Sequence, residues 1–174
     1  MNNWLSLIIA LPTANATERM RAWRALKSSG AAVLRDGVYL LPDNSACRES
    51  LEGVERDILG SNGTAFLLPI NDPQGERFIE LFDRSEDYAK LRVEIEACQA
   101  QLTADNALTS TKQVRKLRKA FAQVAAIDFF PTAARQQTDM ALKTLETAIS
   151  RALSQDEPSS QDQPIERLDL RDYQ

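Results

Sequence analysis

Between Trp4 and Pro42 the chain reads WLSLIIALPTANATERMRAWRALKSSGAAVLRDGVYLLP, a strand, a basic helix and a tight hairpin in immediate succession. Few folds accommodate that order in so short a span. Trp4 to Leu11 is apolar except for Ser6 and stops at Pro12, which predicts an interior strand buried on both faces. Asn15 is placed to cap a helix by accepting a backbone amide near Glu18, whose carboxylate suits the positive helix N-terminus. The helix is expected over Ala16–Ser29, with Met20, Trp23 and Leu26 inward and Gly30 as its left-handed stop. Ala31–Arg35 and Val38–Leu41 then flank Asp36-Gly37, a dipeptide that tolerates the positive φ of a two-residue hairpin turn.

A second unit completes the sheet. Asn44 or Ser45 is expected to cap a helix whose Leu51, Val54, Ile58 and Leu59 form one apolar stripe ended by Gly60. Thr64–Ile70 is another short apolar run, entered through Asn62-Gly63 and left through Asp72-Pro73. The order β-α-β-β-α-β is that of a ferredoxin-like α+β sandwich, four antiparallel strands with two helices on one face.

After residue 72 the pattern becomes helical. Phe78, Leu81, Phe82, Leu91, Ile95, Cys98 and Leu102 predict a long helix over Gly75–Leu102, with a break near Ser85. A second is expected from a Ser110 cap through Val114, Leu117, Phe121 and Val124 to Phe129-Phe130-Pro131. A third starts at Thr132, with Ala141, Leu145, Ala148 and Ala152 on one side and Leu142, Ile149 and Leu153 beside them. The expected organisation is a sandwich over residues 1–72, a helical extension over 73–154, and a linker over 155–174 leading towards a further domain. Ser154–Pro164 is rich in Ser, Gln, Asp, Glu and Pro, a composition with too little apolar area to order itself.

Composition narrows the function classes. The net charge of −4 argues against a basic nucleic-acid-coating protein but leaves room for a local basic face. No run approaches the roughly 18 apolar residues of a membrane span, and the apolar start lacks a basic leader, so a cytoplasmic location is expected. Cys47 and Cys98, far apart in sequence, read as unreactive thiols rather than a metal or redox pair. The chain has no histidine, which removes the commonest general base and any Ser-His or Cys-His pair. Neither a Gly-rich phosphate loop nor a convincing carboxylate pair appears; Glu94 and Glu96 read as a solvated helix face. No catalytic residue, metal or cofactor is therefore assigned.

Two basic clusters remain. TKQVRKLRKAF places Lys112, Arg115, Lys116, Arg118 and Lys119 on one predicted helix, five cations in eight positions with no acid among them. Four of them lie three or four residues apart, a stripe beside the apolar one, suited to phosphates and to salt-dependent binding. The competing reading is a solvated face paired with Glu94 and Glu96. Arg21, Arg24 and Lys27 on the first helix, with Arg35 near the hairpin, form a second cluster, because guanidinium forks suit phosphate or tetrahedral oxyanions. The plainer alternative is a set of solubilising arginines. Trp4, Trp23 and Tyr39 read as core residues, and Phe129-Phe130 as a plug between two helices.

The opening NWLSLIIALPTANATERMRAWRALKSSGAAVLRDGVYLLP together with IERLDLRDYQ resembles the N-terminal part of the ChrB family of bacterial chromate-resistance proteins, over essentially the whole chain. That resemblance implies a chromate-responsive transcriptional regulator of an efflux operon, with promoter DNA as partner and chromate as effector. Arg21, Arg24 and Arg35 would then be oxyanion-binding. More distantly, the β-α-β-β portion is similar to the ferredoxin-like domain of PaaX-type repressors and of CRISPR spacer-acquisition endonucleases, which implies a homodimer. The endonucleases hold a metal through an acid at the end of the first strand. Here Leu11-Pro12 occupies that place, and neither side chain can ligate a hard cation. A non-enzymatic regulator is expected; an interaction scaffold serving a separate sensing domain is the alternative, and a metal-dependent nuclease a weaker third.

Overall fold

The computed structural model describes residues 3–155, so the expected linker lies almost wholly outside the described residues. The protein is α+β. Its elements run β1 (Asn3–Ala10), α1 (Ala16–Ser28), β2 (Ala32–Arg35), β3 (Val38–Pro42), α2 (Ser45–Gly60) and β4 (Thr64–Asn71). A 3-10 turn over Ile79–Phe82 follows, then α3 (Ser85–Ala100), α4 (Ala107–Ala126) and α5 (Ala133–Gln155). The four strands form one antiparallel sheet in the order β2-β3-β1-β4.

β1 is interior as expected, but burial on both faces holds only for its first half. Trp4, Leu5, Ser6 and Leu7 are buried, whereas Ile8 and Ala10 are exposed. Alternation puts Trp4, Ser6 and Ile8 on one face, opposite Ile70, Leu68 and Phe66 of β4. The Trp4 end of that face is covered by rings: Phe82 stacks on Trp4 at 5.4 Å, Phe78 meets it edge-on at 5.6 Å, and Phe130 lies at 5.9 Å. Phe129 and Phe130 thus plug the junction between α4 and α5 against the sheet. Leu5 and Leu7 serve the other face, and Ala22 and Leu26 of α1 with Leu51, Val54 and Ile58 of α2 share their core.

The hairpin turns at Asp36-Gly37, but only Gly37 takes a positive φ (75°), and a bulge follows Val33. Gly37 is needed twice over, since its carbonyl accepts from Ile9 N at 2.8 Å and an added Cβ would lie 2.6 Å from the Ile9 carbonyl oxygen.

Several expectations are corrected. α1 does not turn Met20 and Trp23 inward; Ala22 and Leu26 are its buried residues, and Met20 and Trp23 are 47% and 44% exposed. The small Ala22 lets the helix approach the core with its narrow side, which rotates the bulkier residues outward. Asn15 stands at the N-cap position without capping α1; its Nδ2 instead donates to the Ser61 carbonyl at 2.8 Å, tying the start of α1 to the end of α2. Asn44 does cap α2, accepting from Cys47 N at 2.9 Å. Leu59 is exposed, and the left-handed residue past α2 is Asn62 rather than Gly60.

The long helix expected from Gly75 is a loop, a 3-10 turn and α3, broken where Asp83 Oδ1 accepts from Ser85 N and Oγ. α4 begins three residues before Ser110, which is buried inside it. α5 starts beyond Thr132, whose Oγ1 accepts from Ala134 N at 3.3 Å. The three helices pack through Leu91 and Ile95, Val114 and Leu117, and Leu142, Leu145 and Ile149.

Candidate nucleic-acid interface

α4 is amphipathic in a way that isolates charge. Ala107, Ser110, Val114 and Leu117 face the bundle at helical spacing. At 100° per residue, Lys112, Arg115, Lys116 and Lys119 cluster around the opposite direction. The stripe is therefore across the helix from the apolar seam rather than beside it. All four are exposed and none forms an ion pair among the described residues. The stripe spans roughly 10 Å of helix, enough to meet about three successive phosphates of one strand.

Arg118 is different. It is half-buried against α5, donating to Asp139 Oδ1 at 2.7 Å and, through Nε and Nη2, to both Glu146 oxygens at 3.0 and 2.9 Å. The Glu146 hydrogen bonds are the main reason its pKa is raised. Asp139 is held below the usual carboxylate range, first by Lys143 (2.7 Å) and then by Arg118. The bidentate geometry makes Arg118 a clamp between α4 and α5. The cross-pairing of α4 with Glu94 and Glu96, the competing reading of the stripe, is not seen: both acids are exposed on α3 without ion-pair partners among the described residues.

The second cluster lies on α1. Arg21 and Arg24 line one shallow groove with Ala16, Thr17 and Met20, and Arg21 pairs with Glu18 at 3.3 Å. Arg35, on the edge strand β2, is not among that groove's lining residues. Trp23, which sequence placed in the core, stands in the open with Lys27 Nζ 4.8 Å from its ring centre. An exposed indole among cations was missed because a tryptophan at helical spacing ordinarily marks a core. The available signal was Ala22 and Leu26, an equally periodic pair with smaller side chains.

Nothing comparable marks a reactive centre among the described residues. Burial pushes both the Cys47 and Cys98 thiols up, which keeps them protonated. No group of three or more His, Cys, Asp or Glu among the described residues is placed to hold a metal. No helix among the described residues is long and apolar enough to cross a membrane.

Fold and surface together define an α+β protein with a helical extension that carries an exposed cationic stripe on α4. The chain belongs to the ChrB family: the family model described as "Protein ChrB, N-terminal" matches residues 19–154. It is 33% identical to Protein ChrB of Cupriavidus metallidurans over 98% of this chain and 54% of that protein, so it spans about half the length of that relative. Among solved structures it is similar to the uncharacterized protein Rv0674 from Mycobacterium tuberculosis, with a TM-score of 0.51 at 15% identity over 87% of this chain and 62% of that one. That likeness speaks for the fold alone.

Proposed function

We propose that this chain is the nucleic-acid-binding part of a chromate-responsive transcriptional regulator, built on a ferredoxin-like sandwich, homodimeric, cytoplasmic and without catalytic activity of its own. The sandwich assignment is supported by the β-α-β-β-α-β element order and the strand order β2-β3-β1-β4. The observation that carries the function is α4: twenty residues without an acid, presenting Lys112, Arg115, Lys116 and Lys119 to solvent while Arg118 is spent on the bundle. Membership of the ChrB family supports chromate as effector, and Arg21, Arg24 and Arg35 are the residues proposed to meet the oxyanion, as planar donors suit its tetrahedral oxygens. The absence of histidine from the sequence, and Leu11-Pro12 at the end of β1, support a non-enzymatic role.

The test is fluorescence-anisotropy titration against the promoter duplex upstream of its own operon and a scrambled duplex, at two salt concentrations, with and without chromate. A slope of log affinity against log salt near −3 is expected, about 0.9 for each neutralised phosphate. Lys112→Glu, Lys116→Glu and Lys119→Glu together should abolish binding. Equal affinity for the triple variant would sink the assignment to α4, and no binding at low salt would favour the scaffold reading. That second reading draws on the open sheet face, where Ile8, Phe66 and Leu68 are 38%, 59% and 45% exposed on neighbouring strands. A contiguous apolar patch of this kind marks interaction surfaces. Sedimentation across protein concentration tests the homodimer, with Phe66→Glu expected to shift the population to monomer.

A further inference from the structure

We propose that the outer face of α1 grips unpaired nucleic acid, with Trp23 stacking on a base while Arg21 and Arg24 take the adjoining phosphates. At 100° per residue, Ala22 and Leu26 share one side of α1. Met20, Arg21, Arg24 and Lys27 lie on the half turned away from them, with Trp23 at its margin. All five are exposed. Lone exposed apolar residues are ordinary. Here, however, Met20 and Trp23 stand three residues apart, about 4.5 Å along the axis, and three cations share their face.

The face is built for anions as well as for a ring. Arg21 and Arg24 line a groove of about 500 Å³ with Ala16, Thr17 and Met20, a size that admits a small ligand. Glu18 is the one acid of α1; it meets Arg21 at 3.3 Å in an exposed pair that holds the guanidinium only weakly. Arg24 forms no ion pair among the described residues. Lys27 Nζ lies 4.8 Å from the Trp23 ring centre, a cation that steadies the indole in its open position.

The choice of partner follows from that mixture. A helix that lies on a membrane separates its apolar face from its charged one, whereas α1 gives its purely apolar side to the core and mixes ring and cations outside. An acidic protein surface would satisfy the cations but has no use for the ring. A nucleic-acid strand supplies both a flat π face and a phosphate in every repeating unit, and stacking on an aromatic side chain is tolerant of sequence. Inside a duplex each base is already covered by its neighbours, so the indole needs an unpaired one. The guanidinium fork suits a phosphate and a tetrahedral oxyanion alike, so the contact is compatible with chromate meeting the same donors. The proposal takes its class of partner from the nucleic-acid reading above, but the contacts on α1 and on α4 fail separately.

The experiment uses the full chain and three probes: a short thymidylate strand, a blunt duplex, and the same duplex with a single-stranded overhang. Trp4 is fully buried, so quenching of indole emission on binding reports Trp23. The strand should quench that emission. Trp23→Ala should weaken strand binding, followed by anisotropy, roughly five- to hundredfold, while Trp23→Phe keeps most of the affinity. The overhang should tighten duplex binding in the parent protein and not in Trp23→Ala. Arg21→Gln with Arg24→Gln should lower the salt slope for the strand by about 1.4, at about 0.7 per phosphate. Unchanged emission, or equal strand affinity of the parent and Trp23→Ala, overturns the proposal. Equal quenching by a polyglutamate peptide or by anionic phospholipid vesicles also overturns it, assigning the face to an acidic protein or to a membrane surface. The variant carrying Lys112→Glu, Lys116→Glu and Lys119→Glu separates the two contacts. Quenching by the strand that persists in this variant while duplex binding is lost supports both. Duplex binding that persists in it, with strand binding still sensitive to Trp23→Ala, supports α1 and overturns α4. No binding of any probe by the parent protein overturns both.

Discussion

Gly30 shows how a single residue can fix the junction between two halves of a molecule. It sits just past α1 at φ 77°, where an added Cβ would lie 2.7 Å from Ile127 Cβ and 3.2 Å from a ring carbon of Phe129. Its carbonyl also accepts from Arg84 Nη2 at 3.1 Å. The end of α1, the start of α3 and the end of α4 therefore meet at one backbone position. Gly30→Ala should destabilise the protein by about 2–4 kcal/mol, combining the left-handed backbone penalty with overpacking against side chains that cannot retreat. Chemical denaturation checks this, and a loss under 1 kcal/mol would mean that the Ile127–Phe129 corner yields. Gly53 and Gly60, helical and with no neighbouring element against an added Cβ, are controls that lack both penalties.

At the scale of elements, α4 divides its cations between two tasks, and the division is measurable. Arg118→Gln should cost about 1 kcal/mol of stability at neutral pH, the worth of a half-exposed but bidentate ion pair, and leave the salt dependence of any nucleic-acid binding unchanged. Lys119→Gln should do the reverse, changing stability by less than about 0.5 kcal/mol and reducing the steepness of the salt slope by about 1. The pH dependence has a definite sign. Asp139 has a lowered pKa in the folded protein, so its contribution is present above its ordinary value and is lost as pH falls through the lowered one. Removing Arg118 takes away one of the contacts that lower it, so the acid-side decline in stability below about pH 4 should be shallower in Arg118→Gln than in the parent protein.

The same elements show what sequence could reveal. Strand and helix order, the Asn44 cap, the α3 break and the α4 stripe all follow from spacings and turn residues, because each is decided locally. Which side of α1 faces inward is decided by what packs on it, and a stripe containing Ala22 competes poorly on hydrophobicity with one containing Met20 and Trp23. The separate role of Arg118 likewise depends on Asp139 and Glu146, more than twenty residues away on a different helix. Neither long-range choice leaves a mark in the local pattern.

At the scale of the whole molecule, the described residues form two apolar clusters, one in the sandwich and one among α3, α4 and α5, and a narrow set of residues joins them. Phe82 is fully buried against Trp4, Phe129 and Phe130, so two separate stretches of chain converge on it. A few residues away, the Tyr88 hydroxyl donates to Asp128 at 2.8 Å in a buried pair linking α3 to the α4–α5 connection. Burial, and then the Asp128 hydrogen bond, raise the Tyr88 pKa, which keeps the phenol a donor throughout the neutral range. This joint lies directly beneath the plug formed by Phe129 and Phe130, so the sandwich and the helices should unfold in one transition. Trp4 lies in the sandwich and helical ellipticity is dominated by the extension, so tryptophan fluorescence and far-ultraviolet circular dichroism report the two parts separately. In the parent protein the two signals should share one midpoint. Phe82→Ala removes the ring on which the joint is built and should cost about 3–5 kcal/mol. Because that loss falls inside the sandwich's cluster, on a ring stacked against Trp4, the sandwich should weaken more than the helices and the two signals should separate, with fluorescence changing first. Coincident transitions in Phe82→Ala would show that the Tyr88–Asp128 pair and the Gly30 corner suffice to hold the halves together.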